Sequence, residues 1–153
     1  MATTLDQVAD LFLAKIQDYK ITTLFQTSGS DAVNTYVEPW LLDSIDDFSL
    51  ICDQTLSYSR STQTFSLDLS QKNQNVLARL MQRYWLDKEI NNVLQMANHL
   101  QDKDFKSYAA SNNLKEKVNL SNVTVERLDQ LLTRYSLNYT VDWDSWEDQD
   151  FRA

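Results

Sequence analysis

The sequence predicts a mainly α-helical protein: a single helical bundle of four or five helices with one long helix, a short extended connector and an extended acidic C-terminal arm. Three observations carry this expectation. Apolar residues recur at spacings of three and four along most of the chain, as one buried helical face requires. The 153 residues are enough for one core and too few for two well-developed ones. One Gly (Gly29) and one Pro (Pro39) leave no means of building a Rossmann turn, a P-loop or a Gly-rich kinase loop, all of which need glycines where backbone approaches phosphate.

Taken in order, Thr4 and Gln7 form a capping-box pattern, and Leu5, Val8, Leu11, Phe12 and Ile16 follow as one face, which predicts a helix from Leu5 to about Tyr19. Between Ile21 and Tyr36 the Thr, Ser and Asn residues and the single Gly collect, which predicts a loop. Pro39 fits a first helical position. Leu41, Leu42, Ile45, Phe48, Ile51, Cys52 and Leu56 extend the second helix to about Ser57, with Asp43, Asp46, Asp47 and Asp53 on its wet side. Phe65, Leu67 and Leu69 alternate with Ser66 and Asp68, the spacing of a short strand or extended connector.

Ser70 caps the next helix, which carries Val76, Leu77, Leu80, Met81 and Tyr84 and continues through Ile90, Val93 and Leu94 to Leu100, a rod of roughly 46 Å. Its apolar face shifts near Trp85-Leu86-Asp87, which predicts a kink or a new cap at Asp87. A short segment with Phe105, Tyr108 and Ala109 follows, Ser111-Asn112-Asn113 interrupts it, and Thr124 caps a last helix bearing Leu128, Leu131, Leu132 and Tyr135. The helical domain is therefore expected over 1–137 and the arm over 138–153.

Fourteen basic against 22 acidic residues give a net charge of -8, and no basic run exists, so specific nucleic-acid binding is disfavoured. No stretch approaches the ~18 apolar residues of a membrane span. A single cysteine and an N-terminus without a basic start or an unbroken apolar run predict a cytosolic origin.

Chemistry-bearing groups are sparse. One Cys and one His, Cys52 and His99, do not make a zinc site, and no metal or cofactor is expected. Cys52 reads as a core thiol on an apolar helix face, and His99 as a residue complementing a helix C-terminus. Asp46 and Asp47 are adjacent and so do not face one another on a helix; solvation explains them better than acid–base work. The pattern DWDSWEDQD lacks the Gly and the terminal Glu of an EF-hand loop. Trp40, Trp85, Tyr84, Phe105 and Tyr108 would need a positive groove to stack bases, and core packing is the better account. No enzyme is expected.

The arm differs in kind. Asp142, Asp144, Glu147, Asp148 and Asp150 keep it wet while Tyr139, Val141, Trp143, Trp146 and Phe151 seek a pocket, so these five apolar residues are the candidate partner-binding set.

The run from Leu41 to Val118, with a helix ending LSY, an F-x-x-x-L connector and a long helix carrying LMQRYWL and INN, resembles small helical virion proteins of tailed phages of Gram-positive hosts, among them head-tail connector or neck adaptor proteins. That resemblance implies a structural virion protein that assembles as a homo-oligomeric ring beneath the portal. It also implies contacts with portal and tail-side proteins and DNA passing through the assembly. The contacts are expected from the arm and from the Thr22 to Tyr36 segment. The alternatives are another phage component, such as a tail-completion or baseplate protein, and a small acidic inhibitor that mimics nucleic acid.

Overall fold

The computed structural model describes the backbone of residues 1–99 and 104–140, and the side chains of residues 1–95 and 112–137. The protein is mainly α-helical. Among the described residues there are four helices, α1 (Leu5–Leu13), α2 (Tyr19–Phe48), α3 (Gln71–His99) and α4 (Asp104–Thr140). A two-stranded antiparallel ribbon, β1 (Tyr58–Ser59) with β2 (Thr64–Phe65), lies between α2 and α3.

The capping box at α1 forms as the sequence predicts, Thr4 accepting from the Gln7 N–H while the Gln7 side chain accepts from the Thr4 N–H. The helix stops at Leu13 instead of Tyr19. There the Lys15 ammonium donates to the Leu11 carbonyl at 3.1 Å, filling one of the acceptors that a helix end leaves open. Asp18 then starts α2 as its N-cap, accepting from the Lys20 N–H at 2.8 Å.

Helix α2 departs most from expectation. The segment 21–36 is helical, not a loop. Its Thr22, Thr23, Thr27 and Thr35 hydroxyls donate to carbonyls four residues back, so the groups that compete with a helix are satisfied within it. Burial of Ile21 and Val33 supplies what propensity lacks. The single interruption is Gly29, whose φ of 80° and ψ of -172° suit only glycine and divide α2 into two helical pieces. Pro39 sits inside the second piece instead of opening it. Pro39 and Thr35 are both exposed, so water can replace the donor that the Thr35 carbonyl loses. The helix ends at Phe48, well before Ser57, and Ser49 caps it by donating its N–H to the Ile45 carbonyl.

Two further corrections concern α3 and α4. Ser70 caps α3 as expected, its Oγ accepting from the Asn73 N–H at 3.2 Å, but the helix runs unbroken through Trp85 and Asp87. The side chains at the shift are held by the two ends of α2: Tyr84 donates to Asp47, and the Trp85 indole N–H to Asp18 at 2.9 Å. Helix α4 is likewise continuous through Ser111-Asn112-Asn113, and Thr124 lies inside it instead of capping it. Asn112 and Asn113 are exposed, so no amide is buried by continuing. The α3–α4 pair is antiparallel, with Asn73 against Tyr135 at one end and Glu89 against Lys117 at 2.9 Å further along. Helix α4 includes Asn138 and Tyr139 in its last turn, so the extended arm does not begin at 138. Residues 141–153 lie outside those described.

The core gathers Leu5, Val8 and Phe12 from α1, Val37, Trp40, Leu41 and Phe48 from α2, Phe65 from β2, Leu77, Leu80 and Met81 from α3, and Leu128 and Tyr135 from α4. Each such side chain, fully withdrawn from water, contributes about 1.5–3 kcal/mol. Phe65 lies in the strand β2, one of the two readings its alternation left open, and Leu67 and Leu69 fall outside that strand. The strand pairs with β1 and also with Thr3, whose carbonyl accepts from the Phe65 N–H at 2.8 Å, stitching the N-terminal segment to the connector.

Candidate functional site

Two kinds of locality stand out: a polar knot at the α2–α3 connector, and surfaces where apolar side chains remain open. The knot centres on Tyr135, which is only 2% exposed. Its phenolic oxygen accepts the Asp53 backbone N–H at 2.9 Å, and it lies within bonding distance of the Asp53 carboxylate and of Asn73 Oδ1 at 2.8 Å. Asn73 Nδ2 donates to Asp53 at 2.8 Å and to Gln54 Oε1 at 2.6 Å, and Gln54 also accepts the Ser70 N–H at 2.8 Å. Phe48 meets the Tyr135 ring edge-on at 5.1 Å, and the Lys72 ammonium stands 4.2 Å from the ring centre. The hydrogen bonds from Tyr135 and Asn73 hold the Asp53 carboxyl below its usual range, while burial raises the Tyr135 phenol.

This knot ties the start of α3 and the C-terminal part of α4 to the loop after α2. It does not assemble an activated nucleophile. Cys52 lies beyond the end of α2, not on its apolar face, half-buried with its sulfur 3.8 Å from the Tyr135 oxygen. Burial pushes its thiol up, away from the thiolate that nucleophilic chemistry uses. A second polar centre is Glu38, 6% exposed, whose carboxylate accepts from the Tyr58 hydroxyl at 3.0 Å and from Arg60 at 3.3 Å. No buried polar side-chain atom lacks a partner among the described residues.

The other residues singled out by the sequence are dispersed. Asp46 and Asp47 are exposed, and Asp47 receives the Tyr84 hydroxyl; burial first, and then this contact, push the phenol up to about 12. Trp40 packs in the core against Phe12 (5.7 Å) and Tyr36 (5.4 Å), and Trp85 is half-buried. His99 is the last residue of α3, and its side chain, with those of Phe105, Tyr108 and Tyr139, is outside those described. Val141, Trp143, Trp146 and Phe151 also lie outside the described residues. Among the described residues no group of three or more His, Cys, Asp or Glu side chains is placed to hold a metal ion, and no helix is long and apolar enough to cross a membrane.

The open surfaces lie elsewhere. Between the end of α1 and the kinked α2 is a cleft of about 810 Å³, with Leu13, Ile16, Ile21, Phe25 and Val33 in its walls. Tyr19 at its edge is 91% exposed and Phe25 is 58% exposed. Thr22, Thr23 and Val33 place this cleft on the segment expected to make contacts, although that segment is helix instead of loop. Along α4, Val118, Leu120, Val123 and Leu137 are exposed. Sequence patterning missed Phe25, because an aromatic in an apparent loop carries no period, and placed Tyr19 only as the last residue of the first predicted helix. Compared with family models, with curated proteins and with solved structures, the chain matches none.

Proposed function

We propose that this chain is a structural virion protein, a head-tail connector (neck adaptor) subunit that assembles as a ring beneath a portal. The observation that carries the reading is the set of large apolar side chains left open around the α1–α2 cleft, Tyr19 and Phe25 above all. Aromatic side chains exposed beside a cleft are characteristic of contact surfaces. The chain's resemblance to small phage virion proteins supplies the setting. A ring needs two different patches on each subunit, one meeting the other on the next copy, and the cleft and α4 offer two separate open surfaces. The net charge of -8 suits a wall past which DNA slides without adhering.

The test is the solution mass of the full chain by light scattering across a wide concentration range, with negative-stain microscopy of the same samples. The expected result is a closed ring at a fixed multiple of 17.8 kDa. A monomer at every concentration, unchanged when a portal ring is added, would overturn the reading. Tyr19→Ser combined with Phe25→Ser is expected to leave a folded chain that no longer closes rings.

A further inference from the structure

One flank of the α3–α4 pair gathers positive charge in a chain that is acidic overall. Just past the end of α1, Lys15 meets Arg79 of α3 and Arg127 of α4, and these three cations line a groove of about 290 Å³ together with Leu120, Val123 and Leu128. The antiparallel register that sets Asn73 against Tyr135 also brings 79 level with 127. No acidic side chain lines the groove, and among the described residues none forms an ion pair with Lys15, Arg79 or Arg127. Lys15 is held in place through its bond to the Leu11 carbonyl. Burial and then the Arg79 charge depress the Lys15 pKa. Part of the lining is apolar: Leu128 is buried, while Leu120 and Val123 are 50% and 43% exposed.

The fitting ligand carries carboxylates and apolar anchors together. The chain contains such a segment, DWDSWEDQDF at 142–151, with five acidic residues around Trp143 and Trp146 and Phe151 at its end. Thr124, level with the groove, lies roughly 24 Å along α4 from Thr140 at about 1.5 Å per residue. At about 3.3 Å per residue an extended chain needs roughly seven residues to span that distance, so Asp142 and Asp144 stand too close in sequence to Thr140 to meet the groove of their own chain, whereas Glu147, Asp148 and Asp150 do not. A groove on an adjoining copy, which the ring reading supplies, can take all five acidic residues.

We propose that the groove formed by Lys15, Arg79 and Arg127 receives the acidic aromatic segment 142–151 of the next copy. The proposal rests on the ring reading and names one of its contacts. Its test uses the full chain, as an equal mixture of isotopically light and heavy protein, treated with a zero-length carbodiimide that joins an ammonium to a carboxylate in direct contact. The expected product links Lys15 to an acidic residue of 142–150, with mixed-label pairs in statistical proportion. Links of one label only would place the segment in its own groove, and absence of a Lys15 link would remove it from the groove; either overturns the proposal.

A charge-swap experiment gives an independent check. Arg79→Glu with Arg127→Glu is expected to lower the yield of that link by at least about tenfold, a change that corresponds to ~1.4 kcal/mol. Mixing that chain with one carrying Asp144→Lys and Asp148→Lys is expected to restore assembly, and failure to do so would count against a contact between copies. Mass measured on the same samples separates the two ideas: rings without the Lys15 link refute this contact alone, and a strict monomer refutes the ring and the contact together.

Discussion

Asn73 and Arg79 stand roughly 9 Å apart along α3, and the chain treats the polar groups around them in opposite ways. Around Asn73 every donor meets an acceptor: Tyr135, Asp53, Gln54 and Ser70 close on one another, and a cation lies over the Tyr135 ring. Around Arg79 three cations share a groove without a counterion of their own. Satisfied polar groups hold a fold together, because breaking one strands its partner in a dry place. Charges without a counterion near the surface cost little and leave capacity for a ligand. The same helix pair thus serves stability at one level and, by our proposal, recognition at the next.

The most damaging way to break the first region is Tyr135→Ala, which removes a core ring and the hydroxyl at once and is expected to cost about 3–5 kcal/mol in a denaturant titration. Tyr135→Phe isolates the hydroxyl; stranding the Asp53 N–H and its neighbours costs about 1–3 kcal/mol, or roughly 3–10 °C in Tm. At the other satisfied centre, Tyr58→Phe leaves buried Glu38 with Arg60 alone and is expected to cost about 1–2 kcal/mol.

The pH profile sharpens the same contrast. The phenols of Tyr58, Tyr84 and Tyr135 all titrate above their ordinary value of 10.0, burial being the first cause in each. Their contribution to stability is therefore complete below pH 10 and is lost as pH rises through the raised values, so alkaline unfolding and a delayed tyrosinate absorbance are expected to coincide. Asp53 behaves oppositely: its depressed value means a contribution present above the ordinary 3.8 and lost as pH falls through the folded value, and Tyr135→Phe is expected to reduce it. An acid limb unchanged in Tyr135→Phe would show that the hydroxyl does not hold the carboxylate. The smallest expected effect belongs to the second region, where Arg79→Glu with Arg127→Glu shifts monomer stability by no more than about 0.5 kcal/mol, since both side chains are exposed.

Local signals were legible and non-local ones were not. Thr4 with Gln7, and Ser70 before α3, announce helix starts because a cap is decided within four residues. The threonines of α2 mislead for the complementary reason: their hydroxyls bond to carbonyls one turn back, which composition does not reveal, and packing of Ile21 and Val33 then overrides propensity. Gly29 does mark a break, but a kink between two helical pieces instead of a loop. Ser111-Asn112-Asn113 reads as an interruption only until α3 is seen alongside, with Lys117 paired to Glu89. The groove could not be foreseen, since Lys15, Arg79 and Arg127 are isolated cations far apart in sequence, brought together by the antiparallel register. The candidate set Tyr139, Val141, Trp143, Trp146 and Phe151 was legible as apolar side chains among acids, and the groove that we propose as its receptor was not.

The most direct measurement is the mass of the Arg79→Glu, Arg127→Glu chain by light scattering, beside the unaltered chain and with thermal melts of both. The account expects the unaltered chain to form rings, and the altered chain to keep its Tm while assembling far less. An altered chain of unchanged mass and lowered Tm would contradict it, because these cations would then be holding the fold and not a neighbour.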